Sequence, residues 1–203
     1  MIRTKKELQF YMMADYMMNR GSFFPSIQRR LLNIIFPDYI MNFLKVMRKV
    51  DYYSNSSHRL LLYLNKLRYN ALSIKLGFSI GPQVFGYGLI IPHHGTIVIG
   101  KSNRCGNYCV LHTSTCISDN AKVIGNALYL STGVKITSNL TLGDNVSIGA
   151  NSLVNKSFHA GNTMIAGAPA KEIKKREAWY IEENSTHKHR VELVESLKKQ
   201  YFG

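Results

Sequence analysis

The chain has 203 residues, of which 45% are hydrophobic, so it is long enough to bury a sizeable core. No run of about 18 consecutive apolar residues occurs, which excludes a membrane-spanning helix from the expected architecture. The formal net charge is +14, but no recognised nucleic-acid motif accompanies it, so nucleic acid is not an expected partner.

The charge is uneven. Residues 1–78 carry 13 Lys/Arg against 4 Asp/Glu, a net of +9. Two readings stand for this basic region: peripheral contact with anionic lipid or a phosphorylated substrate, or a solvated face with no partner. Cys105, Cys109 and Cys116 are odd in number and fall inside a repeat region that occupies the second half of the chain. They read as reduced, buried thiols. The opening MIRTKKELQF lacks the apolar core and cleavage site of a secretory signal. The expected location is cytoplasmic, free or at the inner face of the membrane, since reduced thiols belong to a reducing compartment.

In chain order, Thr4 and Glu7 form a capping pair ahead of a helix over 4–20, with Leu8, Met12 and Tyr16 on one face. Gly21, Ser22 and Pro25 break it. Further helices are expected over about 26–36, 38–53 and 58–76. The last carries Leu60, Leu61, Leu64, Leu67, Leu72 and Leu76, a packing face for capping the repeats or for contacting another subunit.

The pattern changes at Gly77. Ile99, Cys105, Leu111 and Ile117 stand six apart, and after one extra residue so do Ile124, Leu130, Ile136, Leu142, Ile148 and Val154. A helix repeats every 3.6 residues and a lone strand every two, so a step of six fits neither. It fits a chain that turns a corner every six residues and stacks coil on coil. Ala127, Gly133, Asn139, Asn145 and Asn151 recur three positions after the ladder, where a left-handed corner suits Gly and Asn. The expected fold is mainly β: a left-handed parallel β-helix of hexapeptide repeats with roughly five coils. The expected organisation is an α-helical N-terminal region over 1–77, the β-helix over 78–174 and a helical tail over 175–203 with a break near Asn184 to Thr186. Residues 82–96 read as irregular loop.

The stretch GFSIGPQVFGYGLIIPHHGTIVIG, the hexapeptides, and the closing SIGANSLVNKSF and MIAGAPAKEI together resemble the serine acetyltransferase branch of the hexapeptide acyltransferases. That resemblance implies a homotrimer with active sites between subunits, acetyl-CoA as co-substrate, no metal, and direct acetyl transfer to an acceptor hydroxyl. It aligns His93 with the family's catalytic histidine ahead of Ile97-Val98-Ile99-Gly100. The chemistry asks for such a base, because an alcohol is a poor nucleophile until its proton is taken. By residue type alone His93 reads first as a polar loop residue after Pro92, and the motif around it turns the reading toward catalysis. His94 is a neighbour for acceptor or solvent. His112 follows ladder residue Leu111 one coil later and reads either as a substrate or proton-relay residue or as an ordinary surface histidine. A third histidine at metal-ligand spacing is missing.

For the cofactor, the resemblance points to Ser131, Thr132, Gly149 and Ala150 along the pantetheine. It sets Gly167, Pro169, Ala170 and Lys171 near the nucleotide, with Lys171, Lys174 and Lys175 toward its phosphates. Two departures stand out. Family members carry an acidic residue that orients the histidine where this chain has Phe78-Ser79-Ile80-Gly81-Pro82, leaving Asp119 as a substitute from another coil. Their Gly-rich acceptor loop is replaced by Thr115-Cys116-Ile117-Ser118-Asp119-Asn120, which runs straight into the next rung. The resulting expectation is O-acetylation of a sugar hydroxyl on a surface polysaccharide. Serine O-acetylation is the alternative, and a non-catalytic β-helix assembly protein is a further one.

Overall fold

The computed structural model describes residues 2–181 and 185–203. Its first third is helical: α1 (Lys5–Arg20), α2 (Ile27–Ile35), α3 (Tyr39–Tyr53) and α4 (Arg59–Leu76), within a residue or two of the expected bounds. The Thr4 hydroxyl accepts from the Glu7 amide at 3.1 Å, and the Glu7 carboxylate accepts from the Thr4 amide at 2.8 Å, completing the capping box. Ser26 and Asp38 cap α2 and α3 through the amides of Arg29 and Met41.

The helices dock on the first coil through one continuous core. Phe43, Leu44 and Met47 of α3 are buried with Phe78 and Ile80, and the Phe43 and Phe78 rings meet edge to face at 5.1 Å. Arg48, fully buried, locks the junction. Its guanidinium donates to Asp15 of α1 at 2.8 Å and to the Phe85 carbonyl at 2.7 Å. The Asp15 carboxylate also accepts from the Leu89 amide, and Asp51 from the Gln83 amide. One guanidinium thus faces two carboxylates, and backbone amides supply the remaining donors that buried ionic groups require. Of the six leucines on the expected packing face of α4, Leu72 and Leu76 reach the core, whereas Leu60, Leu61, Leu64 and Leu67 are exposed in the single chain.

The solenoid begins with β1 (Phe78–Ile80), β2 (Ile97–Ile99), β3 (Arg104–Cys105), β4 (Val110–Leu111) and β5 (Thr115–Ile117). It continues with β6 (Val123–Ile124), β7 (Tyr129–Leu130), β8 (Lys135–Ile136), β9 (Thr141–Leu142), β10 (Val146–Ile148) and β11 (Leu153–Val154). It closes with β12 (Thr163–Gly167) and β13 (Ala170–Lys175). These form three faces of a left-handed β-helix, in the orders β1-β2-β5-β8-β11, β3-β6-β9 and β13-β12-β10-β7-β4. All pairs are parallel except β12 with β13. We call the faces first, second and third in that order. Every expected ladder residue points inward and is buried. Residues 82–96 are not mere loop, because single bridges Phe85 to Cys105 and Ile90 to Val110 carry them round a full coil.

Corner geometry follows the expected phase with one exception. Ala127, Asn145 and Asn151 have positive φ of 54°, 59° and 55°, whereas in the fourth coil Ser138, not Asn139, takes that role at 62°. The slipped phase before Ile124 is absorbed at a corner where buried Lys122 folds back, its ammonium donating to the Ser118 carbonyl at 2.7 Å. Of the three free cysteines, Cys105 and Cys109 are buried and Cys116 is only half-buried.

Residues 170–175 return on β12 as a hairpin after the cis Ala168–Pro169 bond and close the solenoid, so the helix expected from 175 onward begins only later, at Thr186. A short 3₁₀ turn, Trp179–Ile181, leads to α5 (Thr186–Phe202). Of the expected break, Asn184 lies outside the described residues, and Ser185 caps α5. Trp179, Val191 and Val194 pack with Phe10 and Met18 of α1 against Tyr87, Tyr108 and Val110 on the third face. The hydroxyls of Tyr87 and Tyr108 both donate to Glu195 of α5.

Candidate active site

The corner that joins the third face to the first is built from short, mostly small segments in every coil. They are His93–Gly95 ahead of β2, His112–Ser114 between β4 and β5, Ser131–Gly133 between β7 and β8, and Gly149–Asn151 between β10 and β11. Gly167 to Pro169 close the series. Backbone bonds stack them: His112 donates to Leu130, Ser131 to Ile148, Gly133 to Thr113, Asn151 to Thr132 and Gly149 to Ile165. Residues at one coil position therefore form a single edge. Four coil steps of about 4.8 Å make it roughly 19 Å long from His93 to Gly167.

The edge gathers most of the expected site residues. His93 and His94 are exposed at one end, and Thr132, Ala150 and Gly167 are exposed along it. Gly133 turns this corner at a φ of 80°, in the left-handed region glycine adopts without strain, and a Cβ there would press on the Asn151 side-chain amide. Lys171 pairs with Ala166 in the closing hairpin, beside the far end. Lys174 pairs with Met164, deeper along the strand and away from the edge, and Lys175 is tied to Glu172 at 3.0 Å. Ala170 is buried and faces the core, so its side chain is part of the fold and not of the groove.

His112 is half-buried. Its ring lies 6.4 Å from that of His93, and its Nε2 is 2.9 Å from the Tyr129 hydroxyl. Burial, with His93 adding a smaller effect, holds its pKa below the usual 6.5, so the ring is neutral at physiological pH. The Thr115 hydroxyl donates to the His112 carbonyl at 2.9 Å and holds its backbone. Tyr129 in turn lies against Trp179 at 6.1 Å, and Trp179 against His187 at 5.1 Å. The indole of Trp179 donates to the Tyr108 carbonyl at 2.9 Å. A chain of tilted and edge-on ring contacts thus runs from α5 to the histidine pair.

Asp119 does not join this group. It follows β5, whereas His93 precedes β2, and these strands pair in parallel register, Ile97 with Thr115 and Ile99 with Ile117. The two residues therefore sit at opposite ends of the pair. The Asp119 carboxylate is also engaged by the amide of Ser102 at 2.7 Å and by its hydroxyl. Sequence reasoning missed Tyr129 and Trp179. Tyr129 was within reach of it, because it precedes ladder residue Leu130 and so takes the outward position one coil above Val110. Trp179 was not, since only the tail's path brings it there. Among the described residues there is no group of three or more His, Cys, Asp or Glu that could hold a metal ion.

No protein-family model matches the chain. Against individual proteins, it is 30% identical over 139 residues to the serine acetyltransferase of Helicobacter pylori strain J99, covering 58% of this chain and 81% of that protein. This chain belongs to the serine acetyltransferase family. It is also 29% identical over 123 residues to the serine acetyltransferase of Synechococcus elongatus, covering 57% of this chain but only 47% of that longer relative. Among solved structures, the Brucella abortus serine acetyltransferase in complex with coenzyme A superposes with a TM-score of 0.61 at 19% identity, over 85% of this chain and 68% of that one. That likeness establishes the shared fold. The chain spans about half the length of the Synechococcus relative, and the fold it shares is one that holds coenzyme A in the Brucella neighbour.

Proposed function

We propose that this protein transfers acetyl from acetyl-CoA directly to an acceptor hydroxyl, with His93 as general base. The observation that supports it best is the edge itself. A histidine pair stands at one end, small residues run along about 19 Å of backbone, and a lysine hairpin stands at the other. Ser131, Thr132, Gly149 and Ala150 would flank the pantetheine, and Gly167 and Lys171 would lie toward the nucleotide. The His93 imidazole takes the acceptor proton as the oxygen attacks the thioester carbonyl. It returns that proton to the departing thiolate as the carbon–sulfur bond breaks, so one base serves both half-steps. In the single chain His93, Thr132 and Ala150 are exposed, which fits a homotrimer whose neighbouring subunit closes the groove. Free thiols fit a reducing compartment such as the cytoplasm.

For the acceptor, the family relationship favours L-serine, since the Helicobacter and Synechococcus relatives are named for that activity. A second reading, a sugar hydroxyl, rests on a specific observation. No carboxylate occurs from Phe78 to Pro82, where the resemblance expects an acid, and the coil from Thr115 to Asn120 passes into the next rung with no added loop. The deciding experiment follows thiol release from acetyl-CoA with the purified protein, offering L-serine and separately a panel of nucleotide sugars and oligosaccharides. Release with serine alone supports the first reading. Release with a glycan alone overturns it in favour of the second.

A further inference from the structure

Helix α2 is turned inside out. A surface helix of a protein in water puts its apolar stripe against the core and its polar stripe outward. In α2 not one residue is buried, and Ile27, Leu31, Ile34 and Ile35, spaced on one face, are 62–78% exposed. Phe24 before the helix and Phe36 after it extend the same surface at 59% and 73%. The inward side is the polar one. Asn33 is the only residue of α2 that is not exposed, and its amide oxygen is buried. Arg30 and Asn33 line a cavity of about 650 Å³ between α2, α1 and α3, together with Met12, Phe23 and Met41. Arg29 reaches back to Asp38 at 3.7 Å.

We infer that α2, with Phe24 and Phe36, is a docking surface for the interface of an anionic lipid bilayer. Charge complementarity selects this occupant. No Asp or Glu occurs between residues 52 and 118, and the only four acids before residue 78 are already engaged. Glu7 closes the α1 cap, Asp15 and Asp51 face Arg48, and Asp38 holds Arg20 and Arg29. The charge left to the surface of this region is positive. A second copy laid against the same surface would set like charges face to face, because a two-fold contact pairs a patch with itself. An anionic bilayer gains from both features. It receives the apolar side chains in the headgroup region without shape matching, while Arg and Lys remain among the phosphates.

The test is co-sedimentation of the full chain with vesicles of phosphatidylcholine alone and of phosphatidylcholine with 30 mol% phosphatidylglycerol, in about 0.1 M salt. The expected result is binding to the anionic vesicles at least tenfold stronger than to the neutral ones. The double variant Ile34→Asp/Ile35→Asp should lose that binding and keep its circular dichroism, since neither side chain is buried. Thiol release from acetyl-CoA is measured on the same samples, so failure of the lipid reading is separate from failure of the catalytic one. Wild-type protein left in the supernatant with both vesicles overturns the proposal. So does a double variant that sediments like wild type. A double variant that changes the oligomeric mass by light scattering also overturns it, assigning the helix to a second copy.

Discussion

The Nε2 of His112 lies 2.9 Å from the hydroxyl of Tyr129, a residue one coil further along the solenoid. The bond crosses from one coil to the next and sets the ring of His112 beside His93 at a centroid distance of 6.4 Å. It gives the edge a fixed second imidazole, whose tautomer is decided by whether Tyr129 donates or accepts.

Substituting His93 tests the base. His93→Ala should lower kcat for acetyl transfer by about 10² to 10⁴-fold. Because the side chain is exposed, melting temperature and circular dichroism should stay at wild-type values. Unchanged turnover would remove His93 from the mechanism.

Tyr129→Phe tests the relay position. Losing one hydrogen bond of about 0.5–1.5 kcal/mol should reduce kcat roughly two- to tenfold. It should also displace the acidic limb of the pH–rate profile, whereas a purely structural role would lower the melting temperature and leave that limb in place. Steady-state rates between pH 5 and 8 separate the two.

The neutral state of His112 has a stability consequence. Its folded pKa lies below the usual 6.5, with burial as the leading cause, and His187 is shifted in the same direction. Below 6.5 the unfolded chain binds protons that the folded chain refuses, so stability falls as pH drops from about 6.5 toward the folded values. Urea midpoints should decline over that window. The decline should be shallower for His112→Gln, which has no such proton to refuse.

Ala150→Trp addresses the cofactor path. Ala150 is exposed on the edge, so a large ring there obstructs the groove without entering the core. The KM for acetyl-CoA should rise by about tenfold or more, equivalent to roughly 1.4 kcal/mol of lost binding, with the urea midpoint unchanged. An unaltered KM would move the cofactor off this edge.

Arg48→Ala probes the junction between helices and solenoid. Removing it leaves Asp15 buried and unmatched, at 1% exposure, and breaking such a pair typically costs about 3–5 kcal/mol. Urea denaturation of the variant should show that loss. A near-neutral result would mean that water enters the site.

The solenoid was legible because its signal is repetitive. Ile124 to Val154 restate one rule at every sixth position, and the stacked interior admits only aliphatic side chains there. The cap at Thr4 was legible for a related reason, since it is a bond between residues three apart. His93, Ser131, Thr132, Gly149 and Ala150 were singled out by the family resemblance, and the structure sets them along one edge of the solenoid.

The sequence alone therefore determined what is local or periodic: the bounds of α1 to α4, the ladder and most corner positions. Only the tertiary structure decided which residues meet across coils and between layers. It paired His112 with Tyr129, removed Asp119 to the opposite end of its strand, buried Arg48 between Asp15 and the first coil, and turned the apolar stripe of α2 outward. The reason is physical. A hexapeptide pattern states that a side chain faces outward, but the neighbour it finds there depends on the stacking register and on the path of a tail that returns from more than 60 residues away, as Trp179 does to Tyr108.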